Sequence, residues 1–400
     1  MTKARPQNWL LISFDQWRGD WLQQPWLHLP HLQRLAREGW HPRRCYTASP
    51  QCMPARASWL TGLRPSVLGV TENGAYRVPP DAPSFVRRLR DRHGYRTVLV
   101  GKTHWTPHTA GIDLRDNLPL LQALGFDHAR EIAGPKALAE LHCELTDRWA
   151  EAGVLEAYRA DLRQRYADGM MFSVRPSVLP DALYPDLWLT GVALDELRDL
   201  PVDRPWLLWV SFVGPHEPFD VPASWRGRFR QGPIPPPRRR PAWAQRRHGV
   251  GTALGRKLRR WPEGLPPEAV EALRADYADH LSLLDAQVGA LLSAVAERSD
   301  AGATAITACS DHGELLGDWD LLLKGCFLEG ACRSLFLHRP PGGRRSLGWS
   351  FPGRAYGLTP LLGTAAQAVS HPQAGSFGQR LWRSPWPVPL EFAGERCWRF

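Results

Sequence analysis

Trp9-Leu10-Leu11-Ile12-Ser13-Phe14-Asp15 is an apolar run of strand length that stops on a carboxylate. Three later stretches repeat that design. Thr97–Val100 runs into Gly101-Lys102-Thr103-His104, Trp206–Val213 into Gly214-Pro215-His216-Glu217, and Ala303–Cys309 into Ser310-Asp311-His312-Gly313. Short continuous apolar runs separated by helix-like sequence suit a mostly parallel sheet buried on both faces. Ligands of such sheets bind beyond the carboxyl ends of the strands. Four strand ends carrying Asp, Lys/His, His and Asp/His therefore predict one polar site at one edge of the sheet. A single member of the set could equally be a loop residue, and Asp15 taken alone could be a helix cap or a turn.

Between the runs lie helices. Leu29–Gly39 has an apolar stripe and a Gly stop, and Pro267–Arg298 is a long amphipathic stretch. Residues 130–170 read as helical and polar, an insertion. Residues 231–262 hold Pro235-Pro236-Pro237-Arg238-Arg239-Arg240 and Arg256-Lys257-Leu258-Arg259-Arg260, a basic surface segment that would serve as a loop or lid over an anionic site. We expect a catalytic α/β domain over 1–334 and a small, short C-terminal subdomain over 335–400.

The chain has 400 residues, of which 43% are hydrophobic and 22% charged, with 35 Gly and 37 Pro. These proportions exclude collagen-like, coiled-coil and largely disordered readings. No apolar run is long enough to cross a bilayer, and the first one lacks the features of a secretory signal. Seven scattered cysteines without a C-x-x-C pair fit a reducing, cytoplasmic setting better than a disulfide framework. A net charge of +10 points to an anionic partner. The basic segment lacks interleaved aromatics and any nucleic-acid motif, so nucleic acid is not the expected partner and no membrane is. Only five of the fifty basic residues are lysine, which makes Lys102 and Lys324 stand out, because an ammonium and a guanidinium are not interchangeable.

The sharpest local pattern is Cys52-Met53-Pro54-Ala55-Arg56-Ala57-Ser58-Trp59-Leu60-Thr61-Gly62. Pro54 suits the first turn of a helix, whose free N–H groups would make an anion site at Cys52. Arg56, one turn on, could pair with what sits there. Standing alone, C-x-P-x-R is equally a buried thiol beside a surface arginine.

Together with Asp15 and Ser310-Asp311-His312-Gly313, this pattern resembles the sulfatase family of the alkaline-phosphatase superfamily. The resemblance continues in Pro30-His31-Leu32-Gln33-Arg34-Leu35-Ala36-Arg37-Glu38-Gly39, Gly101-Lys102-Thr103-His104-Trp105, Pro215-His216-Glu217-Pro218-Phe219 and Asp285-Ala286-Gln287-Val288-Gly289, in order over about residues 8–330. It implies an α/β/α sandwich with a mostly parallel sheet and a small C-terminal α+β subdomain. It also implies that a separate formylglycine-generating enzyme oxidises Cys52 to formylglycine, whose hydrate attacks sulfur or phosphorus and later collapses to expel the anion. Ala55 stands where the family often has Ser or Thr.

By the same resemblance Asp15, Cys52, Asp311 and His312 would hold one divalent metal. Many sulfatases carry a double Asp after the first strand and an Asp-Asn pair late; Phe14-Asp15 and Asp311-His312 look instead like the choline-sulfatase and phosphonate-monoester-hydrolase branch. One imidazole and fewer carboxylates move the preference from calcium towards manganese, and the choice stays open between Ca2+ and Mn2+. Lys102 and His104 would bind the sulfate and the formylglycine, Arg56 would support residue 52, and His216 or Lys324 would protonate the leaving oxygen. Lys324 lies twelve residues after His312, as the family's late lysine does. Asn73 matches a substrate-binding position, although Asn73-Gly74 is also a turn sequence. His93, His108 and His128 have no such context and are assigned to surface or packing. The expected activity is cleavage of a small-molecule sulfate monoester. The alternatives are a phosphonate monoester or phosphodiester hydrolase on the same site, and a non-catalytic anion-binding homologue. Relatives in this branch often oligomerise through C-terminal segments; this shorter tail leaves a homo-oligomer possible.

Overall fold

The computed structural model describes residues 7–167, 174–230, 232, 234–241, 253–260, 266–343, 356–370, 390–392 and 395–397. Its centre is a six-stranded sheet of β1 (Asn8–Phe14), β2 (Arg96–Lys102), β3 (His128–Ile132), β4 (Trp206–Ser211), β5 (Thr304–Ser310) and β6 (Phe336–Arg339), in the order β3-β2-β4-β1-β5-β6. The first five strands run parallel, and β6 closes the edge antiparallel to β5. All seven residues of β1 are buried, because it lies between β4 and β5 with both faces covered.

The alternation of side chains across β1 sorts the layers. Leu10, Ile12 and Phe14 pack in one core with α4 (Pro185–Asp199) and α5 (Pro267–Ala296). Trp9 and Leu11 pack in the other with α2 (Cys52–Thr61), α3 (Phe85–His93) and α6 (Leu358–Ser370). The result is an α/β/α sandwich. Helix α1 (Pro30–Glu38) ends at Gly39, where a Cβ would lie 2.5 Å from the carbonyl oxygen of His338. The glycine is there for that close approach of α1 to β6, not for a left-handed turn.

All four apolar runs singled out in the sequence are strands, and two further strands flank them. β3 corrects the helical reading of 130–170: Arg130–Ile132 belong to the sheet, and among the described residues helices follow at Pro135–Leu138, Glu144–Glu151 and Leu155–Ala167. As an edge strand β3 is covered less than the centre, so His128-Ala129-Arg130-Glu131-Ile132 carries no apolar run. β6 begins one residue past position 335, yet it pairs with β5 in the main sheet. Beyond it α6 packs in the core beside α2, Tyr356–Gly357 pair parallel with Cys45–Tyr46, and Leu390–Phe392 pair antiparallel with Glu395–Cys397. Most of 242–265 lies outside the described residues. Arg238 and Arg240 before it, and Lys257 of the described helix Ala253–Arg260 within it, bond to the 318–322 stretch that leads to Lys324. Among the described residues, no helix is long and apolar enough to cross a membrane.

Candidate active site

The parallel strands deliver their C-terminal ends to one side of the sheet. Asp15 follows β1, Lys102 is the last residue of β2, His216 lies on the loop after β4, and Asp311 follows β5. Helix α2 points its N-terminus into the same place. Gln51 is its extended N-cap, Cys52 its first residue and Pro54 lies in its first turn. From Cys52 to Leu60 every residue is buried, so the helix shows no polar face and is locked on all sides. Gly62 ends it in the left-handed region, donating its N–H to Ser58 O.

These elements bring Cys52 Sγ to 3.5 Å from Asp15 Oδ1 and 3.2 Å from His312 Nε2. His312 Nε2 lies 3.7 Å from Asp15 Oδ1 and 3.6 Å from Asp311 Oδ1. One ligand atom from each of Asp15, Cys52, Asp311 and His312 thus falls within 4.8 Å of the other three, all buried. The His312 Nδ1–H donates to Gly313 O at 2.9 Å, which leaves the Nε2 lone pair facing the cluster. The two carboxylates turn their other oxygens to cations: Asp311 Oδ2 accepts from Arg56 Nε at 2.8 Å, and Asp15 Oδ2 from Lys102 Nζ. Two carboxylate oxygens, an imidazole nitrogen and a sulfur that can be replaced by oxygen make a donor set suited to one divalent cation.

Charge is arranged tightly around this cluster. Arg56 is buried and also donates to Lys102 O at 2.7 Å and Ser211 Oγ at 3.0 Å. Burial alone would raise the Asp15 carboxyl, but Lys102, His216, Arg56 and Lys324 together hold it well below the usual range. Lys324 Nζ lies 2.6 Å from His216 Nε2 and 3.2 Å from Glu217 Oε2, and it donates to Gln16 Oε1. Burial opposes its charge, yet Glu217, Cys52 and Asp15 raise it, so Lys324 stays protonated. Glu217 is held down to about 2 because His216 and Lys324 outweigh its burial.

His104 is buried beside Lys102 and stacks on His108 with ring centroids 4.3 Å apart and planes 9° from parallel. Burial, then His108 and Lys102, keeps His104 well below its ordinary range; burial and Lys102 push His108 down to about 3. Asn73 is exposed at the mouth. Its Oδ1 accepts from Met53 N–H at 2.9 Å and its own N–H donates to Gln51 Oε1 at 2.6 Å, so it ties the turn to the start of α2.

The candidate site residues named from the sequence therefore gather here, while His128 pairs with Glu196 and His108 stacks on His104. The reading missed their supports: Gln16, Ser211, Glu217 and Glu131. Glu217 and Gln16 adjoin motif residues. Glu131 had no local signal; its carboxylate accepts from Thr103 Oγ1 and, at 3.0 Å, from Asn117 Nδ2, holding the loop of Lys102 and His104 from β3.

The sequence pattern of the sulfatases matches residues 7–365 of this chain. The chain belongs to the sulfatase family. That family comprises hydrolases acting on sulfuric esters. Similar relatives include an arylsulfatase of Clostridium perfringens, 27% identical over 341 residues covering 84% of this chain and 69% of that one. A choline-sulfatase of Rhizobium meliloti is 29% identical over 355 residues, 86% of this chain and 64% of that one. This sulfatase thus spans about two thirds of the length of those relatives. Among solved structures, the phosphonate monoester hydrolase of Silicibacter pomeroyi superposes with a TM-score of 0.64 at 23% identity, over 92% of this chain and 73% of that one. That of Agrobacterium radiobacter gives 0.61 at 25% identity, over 85% and 70%. The fold is the alkaline-phosphatase-like one.

Proposed function

We propose that this chain is a metal-dependent hydrolase of small-molecule sulfate monoesters whose nucleophile derives from Cys52 as formylglycine. The observation that carries the reading is the convergence of Cys52 Sγ, at the N-terminus of α2, with Asp15, Asp311 and His312. A divalent cation bound there, Ca2+ or Mn2+, would lower the pKa of the attacking hydroxyl and offset the charge of the oxyanion.

The chain's own residues supply the rest. Arg56 neutralises Asp311 and braces the first turn of α2. Lys102 and His104 stand where non-bridging oxygens need positive charge and hydrogen bonds. His216 and Lys324, 2.6 Å apart, stand together as the candidate proton donors to the leaving oxygen. Asn73, exposed beside the start of α2, would meet the substrate's outer oxygens. A buried lysine and histidine together at the oxyanion end favour sulfate, and seven scattered cysteines without a C-x-x-C pair support a cytoplasmic setting. The second reading, a phosphonate monoester or phosphodiester hydrolase, is favoured by the likeness to the Agrobacterium radiobacter enzyme and by the chemical kinship of the two tetrahedral anions.

The test is mass spectrometry of the tryptic peptide Cys45–Arg56 from protein co-expressed with a formylglycine-generating enzyme, followed by sulfate, phosphonate and phosphodiester substrates side by side. An aldehyde at residue 52 and faster sulfate turnover are expected. Unmodified cysteine beside a converted control would overturn the nucleophile, and faster phosphonate turnover would hand the site to the second reading.

A further inference from the structure

Val213 and Gly214 lie just past the end of β4, where the sheet no longer offers partners for their N–H groups. Buried backbone donors need a replacement, and here it is a side chain. Asp186, the second residue of α4, is fully buried, and its Oδ1 accepts from Val213 N–H at 2.9 Å and Gly214 N–H at 3.1 Å. Its Oδ2 accepts from His280 Nε2 of α5 at 2.9 Å. The Tyr184 hydroxyl donates to Asp220 O at 2.8 Å and lies 3.2 Å from the same His280 nitrogen, closing the group from behind.

The loop held in this way is tied to the active site at two points. Gly214 O accepts the N–H of Asp15 at 3.0 Å, so the backbone of a proposed metal ligand rests on it. His216 follows two residues later. The approach leaves no room for adjustment: a Cβ on Gly214 would lie 2.2 Å from His280 Nε2 and 2.5 Å from Asp186 Oδ2. A carboxylate with three donors at the N-terminal end of a helix is well satisfied, which keeps the clamp rigid without drawing on the charges of the site.

We propose that Asp186, backed by His280, is a positioning residue of the reaction, setting the 213–218 loop so that His216 meets the leaving oxygen and Asp15 meets the metal. The activity side of this inference rests on the hydrolase reading above, and the metal side does not.

The experiment compares Asp186→Ala, Asp186→Asn and wild type. Turnover of the matured proteins is measured on an alkyl sulfate, whose leaving oxygen needs a proton, and on para-nitrophenyl sulfate, which leaves as an anion. Mn2+ is titrated into the same proteins made without the maturation enzyme. A loop displaced by about 1 Å costs about a hundredfold in kcat, so Asp186→Ala should lose about that much on the alkyl ester and much less on the aryl ester. Mn2+ affinity should fall about tenfold, as for other residues that orient a metal ligand. Asp186→Asn keeps an oxygen for both amides and should recover most of each loss. Equal loss on both esters with unchanged Mn2+ affinity would reduce Asp186 to a structural role and overturn the proposal, as would no loss at all. Should Asp186→Ala fail to fold, His280→Ala takes its place with the same pattern expected and the same outcomes fatal. Wild type inert on both esters would refute the hydrolase reading, while the Mn2+ comparison would still decide the role of Asp186 toward Asp15.

Discussion

Arg56→Ala isolates the charge balance of the site. The guanidinium is 2% exposed. It bonds Asp311 Oδ2 at 2.8 Å, lies 3.7 Å from Asp15 Oδ2 and sits 5.6 Å above the Trp59 ring. Burial works against its charge, yet Asp311 and Asp15 raise its pKa further, so it is a cation at any working pH. Removing one partner of a buried pair strands the other, at a cost of about 3–5 kcal/mol, against about 0–1 kcal/mol for an exposed pair. Lys102 still reaches Asp15, so most of the loss should come from Asp311. A divalent ion would supply positive charge to the same two carboxylates, through the Oδ1 atoms that Arg56 leaves free. At a hundredfold excess over its Kd it adds about 2.7 kcal/mol to either protein, and more to the variant at equal concentration because one competing cation is gone. The assay is urea unfolding of wild type and Arg56→Ala, in chelator and in Mn2+. We expect a gap of about 3–5 kcal/mol in chelator that narrows with metal, at unchanged m-value. A gap below about 1 kcal/mol, or one that metal leaves untouched, would refute both the buried-pair argument and the placement of the metal beside Asp311.

Cys52→Ala should abolish turnover with the thermal midpoint preserved; an unchanged rate would sink the formylglycine mechanism. Asp311→Asn should lower bound metal per chain along with activity, and full stoichiometry by elemental analysis would strike Asp311 from the ligand set. Glu131 adds a pH dependence. Burial pushes its carboxyl up from 4.5 to about 7, against the opposing bonds of Thr103 and Asn117. The fold therefore binds a proton that the unfolded chain has released, and stability falls as pH rises from about 4.5 to about 7, by about 3 kcal/mol in all. Glu131→Gln should match wild type near pH 5 and exceed it near pH 8, so parallel urea midpoints across that range would contradict the assignment.

The parts of this molecule legible in its sequence are those in which local pattern and chemistry coincide. β1, β2, β4 and β5 are buried on both faces, so each shows as an unbroken apolar run, and the residue that ends each run is the one the site uses. β3 and β6 are edge strands; Arg130 and Glu131 of β3 and His338 and Arg339 of β6 dilute the apolar signal on which the strand reading depends. The same limit applies to the site. Cys52, Arg56, Lys102, His216, Asp311 and Lys324 sit in short motifs, whereas Glu131 and Asp186 act from a distant strand and helix with ordinary sequence around them. His108, outside any motif, packs its ring on His104 at 4.3 Å, in keeping with a packing role.

That division has a physical origin. Groups that touch substrate or metal must converge within a few ångströms, and in a parallel sheet the only places that converge are strand ends and helix N-termini, where sequence motifs are compact. Groups that hold those ends still can come from anywhere the packing allows, since a carboxylate needs only one unpaired backbone amide within reach. Asp186 found two, on Val213 and Gly214, and Glu131 accepts instead from the side-chain hydroxyl of Thr103; each fixes a loop that carries a residue of the site. Lys102 and Lys324 form a positive rim whose mutual repulsion would spread it apart. Asp15 answers Lys102, Glu217 answers Lys324, and beneath the rim Asp186 holds the backbone of 213–214 and Glu131 the side chains of Thr103 and Asn117. Preorganised charge of this kind is worth most when it cannot relax. The buried acids outside the motifs therefore decide how much of the motif's electrostatics reaches the substrate.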